Sequence, residues 1–234
     1  VATPLPVLHD SAGVLAVAKP AGLPTQAPPG VDSAESIVRR WRFGSAGVGG
    51  GRHPGGFLGV PHRLDRPVSG VLLFATTPRA ARQLSRQFER RQVTKCYLAL
   101  LEVTAAGPQS LACGDAVSWV NFVRKVPDAP RAEIVAADAE GAREAVTTGR
   151  VVAVSDGVAR VELVPATGRM HQLRVQAAAR GLPVLGDVLY GGTCAAAHDV
   201  RAQAIALHAW RIAFRDPDSG LPVEVTCPPP PELG

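Results

Sequence analysis

Residues 61-PHRLDRPVSG-70 run directly into 70-GVLLFA-75. Two prolines, Pro61 and Pro67, bracket the first segment. They exclude a regular helix, because proline has no amide proton and holds the residue before it extended. Ser69-Gly70 then turns the chain into an apolar run of strand length. Asp65 therefore sits on a stiff loop at the mouth of a buried strand, with Arg63 and Arg66 close by in sequence. Such a carboxylate is either half of a local solvated ion pair or an anion placed for chemistry.

The elements around that loop are read from periodicity and punctuation. Upstream, 14-VLAVAKPAGLP-24 is a short strand breaking into a Pro/Gly turn, and 33-SAESIVRRW-41 is a helix capped by Asp32 or Ser33. Downstream, 77-TPRAARQLSRQFERR-91 is a helix with Thr77 as cap, Pro78 at the first position and an apolar stripe of Ala81, Leu84 and Phe88. Its arginines, Arg79, Arg82, Arg86 and Arg90, read as a solvated face. A strand is predicted over 93-VTKCYLALLEV-103, with Tyr97, Ala99 and Leu101 on one side. Further strands are expected at 117–123, 150–154 and 158-VARVELVP-165. The run 167-TGRMHQLRVQAAARG-181 reads as a turn and a helix closed by Gly181, with His171 and Arg174 one turn apart on one face. A hairpin joins 204–214 to 221–226, and 228–234 is expected to be a disordered, solvated tail. The glycine-rich 44–56 lacks the G-K-[ST] of a phosphate cradle and reads as a surface loop. Strands and helices do not alternate, so the expected fold class is α+β: a mixed, mainly antiparallel sheet with flanking helices, in one domain spanning 1–234.

Bulk properties narrow the function classes. With 46% hydrophobic and 19% charged residues the chain is globular in composition. A net charge of +5 and a pI near 9.4 suit a polyanionic partner. Arginine dominates the basic residues, which GC-rich coding also produces, so charge permits nucleic acid without establishing it. The four cysteines form no C-x-x-C pair and read as reduced thiols of an intracellular protein. Histidine spacing gives no metal motif, so neither metal nor cofactor is expected. No apolar run has membrane-spanning length and the first residues do not resemble a secretory signal, so a cytoplasmic, membrane-free monomer is expected.

The decisive observation is a series of motifs in order. H-R-L-D-R-x-x-S-G before an apolar strand resembles the signature loop of the RluA-type pseudouridine synthases. K-P-A-G at 19–22, K-x-Y at 95–97, T-G-R-M-H-Q-L-R at 167–174, G-D-V-L-Y-G-G at 186–192 and L-H-A at 207–209 resemble the family's other landmarks. That resemblance implies an enzyme that isomerises uridine within ribosomal or transfer RNA after the base is flipped out. It implies Asp65 as the catalytic aspartate, acting on the ribose or base or as a base toward the sugar. Tyr97 corresponds to the residue that stacks on the target ring, and Arg174 to the arginine that pairs with the aspartate. Arg63 corresponds to the side chain that enters the vacated stack, while Leu207 lies in the late strand. His62, Arg66, Arg169, His171 and Gln172 are expected to order loops or contact the substrate. Val68, Met170 and Gln176 depart from the family's usual Thr, Thr and His, which is expected to weaken hydrogen bonding around the loops. Two rival readings are a non-catalytic RNA-binding or ribosome-assembly protein on the same fold, and an N-glycosidase. The glycosidase lacks a second acid within the motifs, since Asp187 reads as structural.

Overall fold

The computed structural model describes residues 5–44, 56–108, 110–193 and 204–233. The glycine-rich loop at 45–55 and Cys194 lie outside these residues. The chain folds as two compact units, Val1–Val93 with Ala209–Pro228, and Thr94–His208 with Pro229–Gly234.

In the first unit, β1 (Val7–Ser11), β2 (Val14–Lys19) and β3 (Ser69–Ala75) pair antiparallel in sequence order. Next to β3 comes β9 (Leu207–Arg215), which pairs antiparallel with β10 (Pro222–Thr226). β2 and β3 are almost continuously buried, which is why they read as apolar runs and not as alternating strands. β1 was not predicted: its pattern, VLHDS, is too polar to stand out. Helix α1 (Ala34–Phe43) starts at Ser33, whose hydroxyl accepts from the Ser36 amide while the Ser36 hydroxyl accepts from the Ser33 amide, a reciprocal capping box. Helix α2 (Pro78–Glu89) is capped by Thr77 as expected. It buries Ala80 and Leu84 into a core with Val14, Leu73, Ile212 and Phe214, and Ala81 and Phe88 pack at its margin. Gln87, on the same face, exchanges two hydrogen bonds with the Arg215 backbone at 2.7 and 2.8 Å, fastening α2 to β9.

The second unit is an antiparallel sheet in the order β4-β8-β7-β5-β6: β4 (Thr94–Glu102), β5 (Ala116–Lys125), β6 (Ala132–Val135), β7 (Arg143–Ser155) and β8 (Val158–Pro165). β7 is much longer than the predicted 150–154, with a register shift between Val151 and Ala153, and the four-residue β6 carried no clear sequence signal. Helix α3 spans only Gln172–Ala178. Residues 167–171 form a turn, and His171 enters the helix in the left-handed conformation at φ 50°, so the expected His171/Arg174 helical face does not exist as such. Beyond α3, Gly181 has φ +67°, and a Cβ there would lie 2.4 Å from the Gly107 amide, so only glycine fits. The tail is not solvated throughout: Pro231–Leu233 form a 3-10 turn and Leu233 is buried.

Candidate active site

In the first unit the Asp65 loop is fastened on both sides of its carboxylate. Thr25 Oγ1 donates to the Leu64 carbonyl at 2.8 Å and accepts from the Leu64 amide at 3.1 Å. On the other side the Gly22 amide donates to the Arg66 carbonyl at 2.8 Å, and Arg66 Nε returns a bond to the Gly22 carbonyl at 2.9 Å. The Val68 amide closes the turn onto the Asp65 carbonyl, while the Leu64 and Val68 side chains are buried as anchors. The missing hydroxyl at position 68 thus leaves the turn closed by backbone.

Beneath the loop lies Lys19, buried at 1% exposure. Its ammonium donates to the carbonyls of Pro20 and Leu23 at 3.0 and 2.7 Å and reaches that of Arg66 at 3.3 Å. Burial pushes its pKa down to about 7, and the Asp65 carboxylate opposes that shift. A buried cation therefore faces the candidate catalytic anion from the K-P-A-G turn. His62 is equally fixed: its Nε2 accepts from the Leu73 amide at 3.0 Å, and its ring stacks on Phe88 at 5.0 Å. Arg63 and Arg66 are exposed. Arg66 turns its Nε to the Gly22 carbonyl and so serves to fasten the loop.

In the second unit the T-G-R-M-H-Q-L-R segment builds around Gln172. Its Oε1 accepts from Thr167 Oγ1 at 2.7 Å and from the Arg169 amide at 3.0 Å, and its Nε2 donates to Val146 O and Thr147 Oγ1. With its amide fully engaged and its side chain buried, Gln172 orders the turn and has no hydrogen-bonding capacity left for substrate. Lys95, whose pKa burial lowers to about 8, reaches the same turn through Thr167 O at 3.2 Å. Gln176 also compensates for its departure from the family pattern. It is fully buried, accepts from Thr147 Oγ1 at 2.7 Å and donates to Ala145 O at 3.0 Å.

Arg174 is held by a residue that sequence reading treated as merely structural. Asp187 binds it through two parallel contacts, Nε–Oδ2 at 2.6 Å and Nη2–Oδ1 at 2.8 Å, both groups buried. The guanidinium lies 5.1 Å from the centre of the Tyr190 ring. Tyr190 Oη contacts His171 Nδ1 at 2.9 Å and both the amide and carbonyl of Ala132. Arg174 orientation is thus set by Asp187 and Tyr190, and His171 is tied to the same assembly. The G-D-V-L-Y spacing was the available signal, although which residue those groups contact was not. Arg169 is partly exposed, with Nε on Glu144 O at 2.8 Å. Tyr97 stands partly buried on β4 opposite Leu163, and Leu207 is buried at the start of β9. Thr25 and Lys19, which fasten the Asp65 loop, and Asp187 and Tyr190, which hold Arg174, are supporting residues of the candidate site that sequence reasoning did not single out.

Comparisons with known proteins agree with the family resemblance of the motifs. Residues 13–179 match the family model for RNA pseudouridylate synthase. The dual-specificity RNA pseudouridine synthase RluA of Yersinia pestis is 32% identical over 225 residues, covering 94% of this chain and 97% of the relative. The ribosomal large subunit pseudouridine synthase D of Xanthomonas campestris is 31% identical, with 98% of this chain and 67% of the relative covered. Among solved structures, human RNA pseudouridylate synthase domain containing 1 superposes with a TM-score of 0.71 at 28% identity, covering 98% of this chain and 86% of that one.

Proposed function

The chain belongs to the RluA-type RNA pseudouridylate synthase family and is an isomerase, and from that premise we propose that it converts uridine to pseudouridine in structured ribosomal or transfer RNA. The reaction is atom-neutral. The N1–C1′ bond of the nucleotide breaks, the uracil turns, a C5–C1′ bond forms, C5 loses its proton and N1 gains one. A carboxylate able to add to C1′ or C6, or to take a sugar proton, serves that sequence, and Asp65 is the assigned group. Tyr97 is assigned to stacking on the uracil and Arg174 to pairing with Asp65. Arg63, exposed on the loop, is assigned to the gap left by the flipped nucleotide, which costs a few kcal/mol of unstacking. Arg66, Arg169, His171 and Leu207 are assigned to substrate binding. The chain is read as a single catalytic domain, in a cytoplasmic monomer.

One observation supports this reading above the rest. The Asp65 backbone is pinned from both sides and the buried Lys19 ammonium lies within electrostatic reach of its carboxylate, so the loop holds an acid in a fixed position. The test is Asp65→Asn on deproteinised RNA from cells lacking the chain, followed by nucleoside mass spectrometry. Conversion is expected to vanish while RNA affinity stays within about tenfold, or about 1.4 kcal/mol. An Asn variant as active as the parent refutes the role of Asp65; release of free uracil by the parent protein refutes isomerisation in favour of a glycosidase.

A further inference from the structure

In the second unit a cavity of about 640 Å³ opens between the end of the β5–β7 pair and the turn that precedes α3. Four cations line it: Arg124, Lys125, Arg143 and Arg169. Arg124 is committed, with Nε on Glu133 Oε1 at 3.0 Å and Nη1 on the Glu140 carbonyl at 3.4 Å, and forms part of the wall. Lys125 and Arg143 are exposed and make no ion pair or side-chain hydrogen bond among the described residues. Among the described residues Arg169 uses only its Nε, for Glu144 O, which fixes the plane of the guanidinium. Three available cations therefore face one lining carboxylate, Glu140. The floor is Gly168, with no side chain, and the partly buried Met170, which packs on the Val123–Ala145–Val175 core.

We propose that this cavity is a second RNA-contact site, taking one nucleotide unit of the strand that carries or flanks the target uridine. Its phosphate lies on Lys125, Arg143 and Arg169, and its sugar or base rests on Gly168 and Met170. The inference depends on the reading of the chain as an RNA uridine isomerase. The chemistry of the lining favours phosphodiester over other anions. Planar guanidinium forks match phosphate oxygens bidentately, and the volume exceeds what a bare phosphate fills while a nucleotide needs an apolar surface beside its charge. The lining turn runs directly into the helix that holds Arg174. A strand seated here would be anchored on the segment that also orders that arginine.

The test compares Lys125→Gln/Arg143→Gln with an equal-charge control, Arg82→Gln/Arg86→Gln, on the exposed face of α2. Filter binding uses deproteinised ribosomal and transfer RNA fractions across about 50–200 mM salt. Removing two of the three cations on that one phosphate is expected to flatten the log–log salt slope by about 0.7 and weaken binding about tenfold at the middle of that range. The control should move the slope by less than half as much. Unchanged binding in the pocket variant, or an equal loss in the control, overturns the site. So does polyglutamate competing as well as RNA, which would reassign the cavity to an acidic protein. Uridine conversion by the parent protein is scored separately. Conversion with unchanged binding in the variant removes the pocket and leaves the isomerase reading. Weakened binding with no conversion by the parent leaves an RNA site and removes that reading.

Discussion

Truncating Asp187 to alanine should be among the most damaging single changes in the second unit. Arg174 and Asp187 are 5% and 1% exposed, and two contacts at 2.6 and 2.8 Å join them. Removing the carboxylate takes away the guanidinium's bidentate partner, and breaking a buried pair from one side costs about 3–5 kcal/mol. With a urea m-value of about 2 kcal/mol per M, the midpoint should fall by about 1.5–2.5 M. Urea titration followed by tryptophan fluorescence measures this. Much of the loss is the penalty of a buried charge deprived of its bidentate partner, so Arg174→Met/Asp187→Leu should recover part of the stability while remaining inactive. Asp187→Asn keeps the shape and one acceptor. It should fold and lose turnover more than substrate affinity, because Asp187 orients Arg174 and does not touch RNA. A loss below about 1 kcal/mol in Asp187→Ala, or a double variant as unstable as the single one, would refute the desolvated-pair account.

Lys19 predicts a pH dependence. Its folded pKa of about 7 lies below the ordinary lysine value of 10.5, so between those values the unfolded chain binds more protons, and its contribution makes stability rise with pH across about 7–10.5. Lys19→Met should flatten that rise relative to the parent in denaturation at pH 7.5 and 9.5; parallel curves would show that the ammonium is not desolvated. Gly70→Ala would place a Cβ 2.2 Å from the Ala209 carbonyl oxygen at a φ of +119°, and backbone cannot rotate away as a side chain can. Overpacking and strain together predict a loss of about 2–6 kcal/mol, read as a lowered melting temperature, and a melt within about 2 °C of the parent would contradict the contact.

Sequence legibility followed the range of the interactions. Thr77 and Pro78 announced α2, and Ser33 announced α1, because caps act within one turn. The apolar runs of β2 and β3 were legible because burial on both faces leaves no alternation to misread. The extent of α3 was not. Its first turn is taken over by Gln172 bonding to Val146 and Thr147, about 25 residues away in sequence, and propensity carries no information on such partners. β6 failed for a related reason: four residues gain strand character only from pairing with β5.

From the sequence alone came the family, the α+β class and the choice of Asp65, Tyr97 and Arg174 as candidates, since these reside in residue type and motif order. Only the tertiary structure decided what holds them. Lys19 and Thr25 reach the Asp65 loop across 47 and 39 residues, and Asp187 reaches Arg174 across 13. Those contacts depend on where folding carries each backbone segment, and a carboxylate or ammonium reads the same in sequence whether it ends in water or against a buried partner.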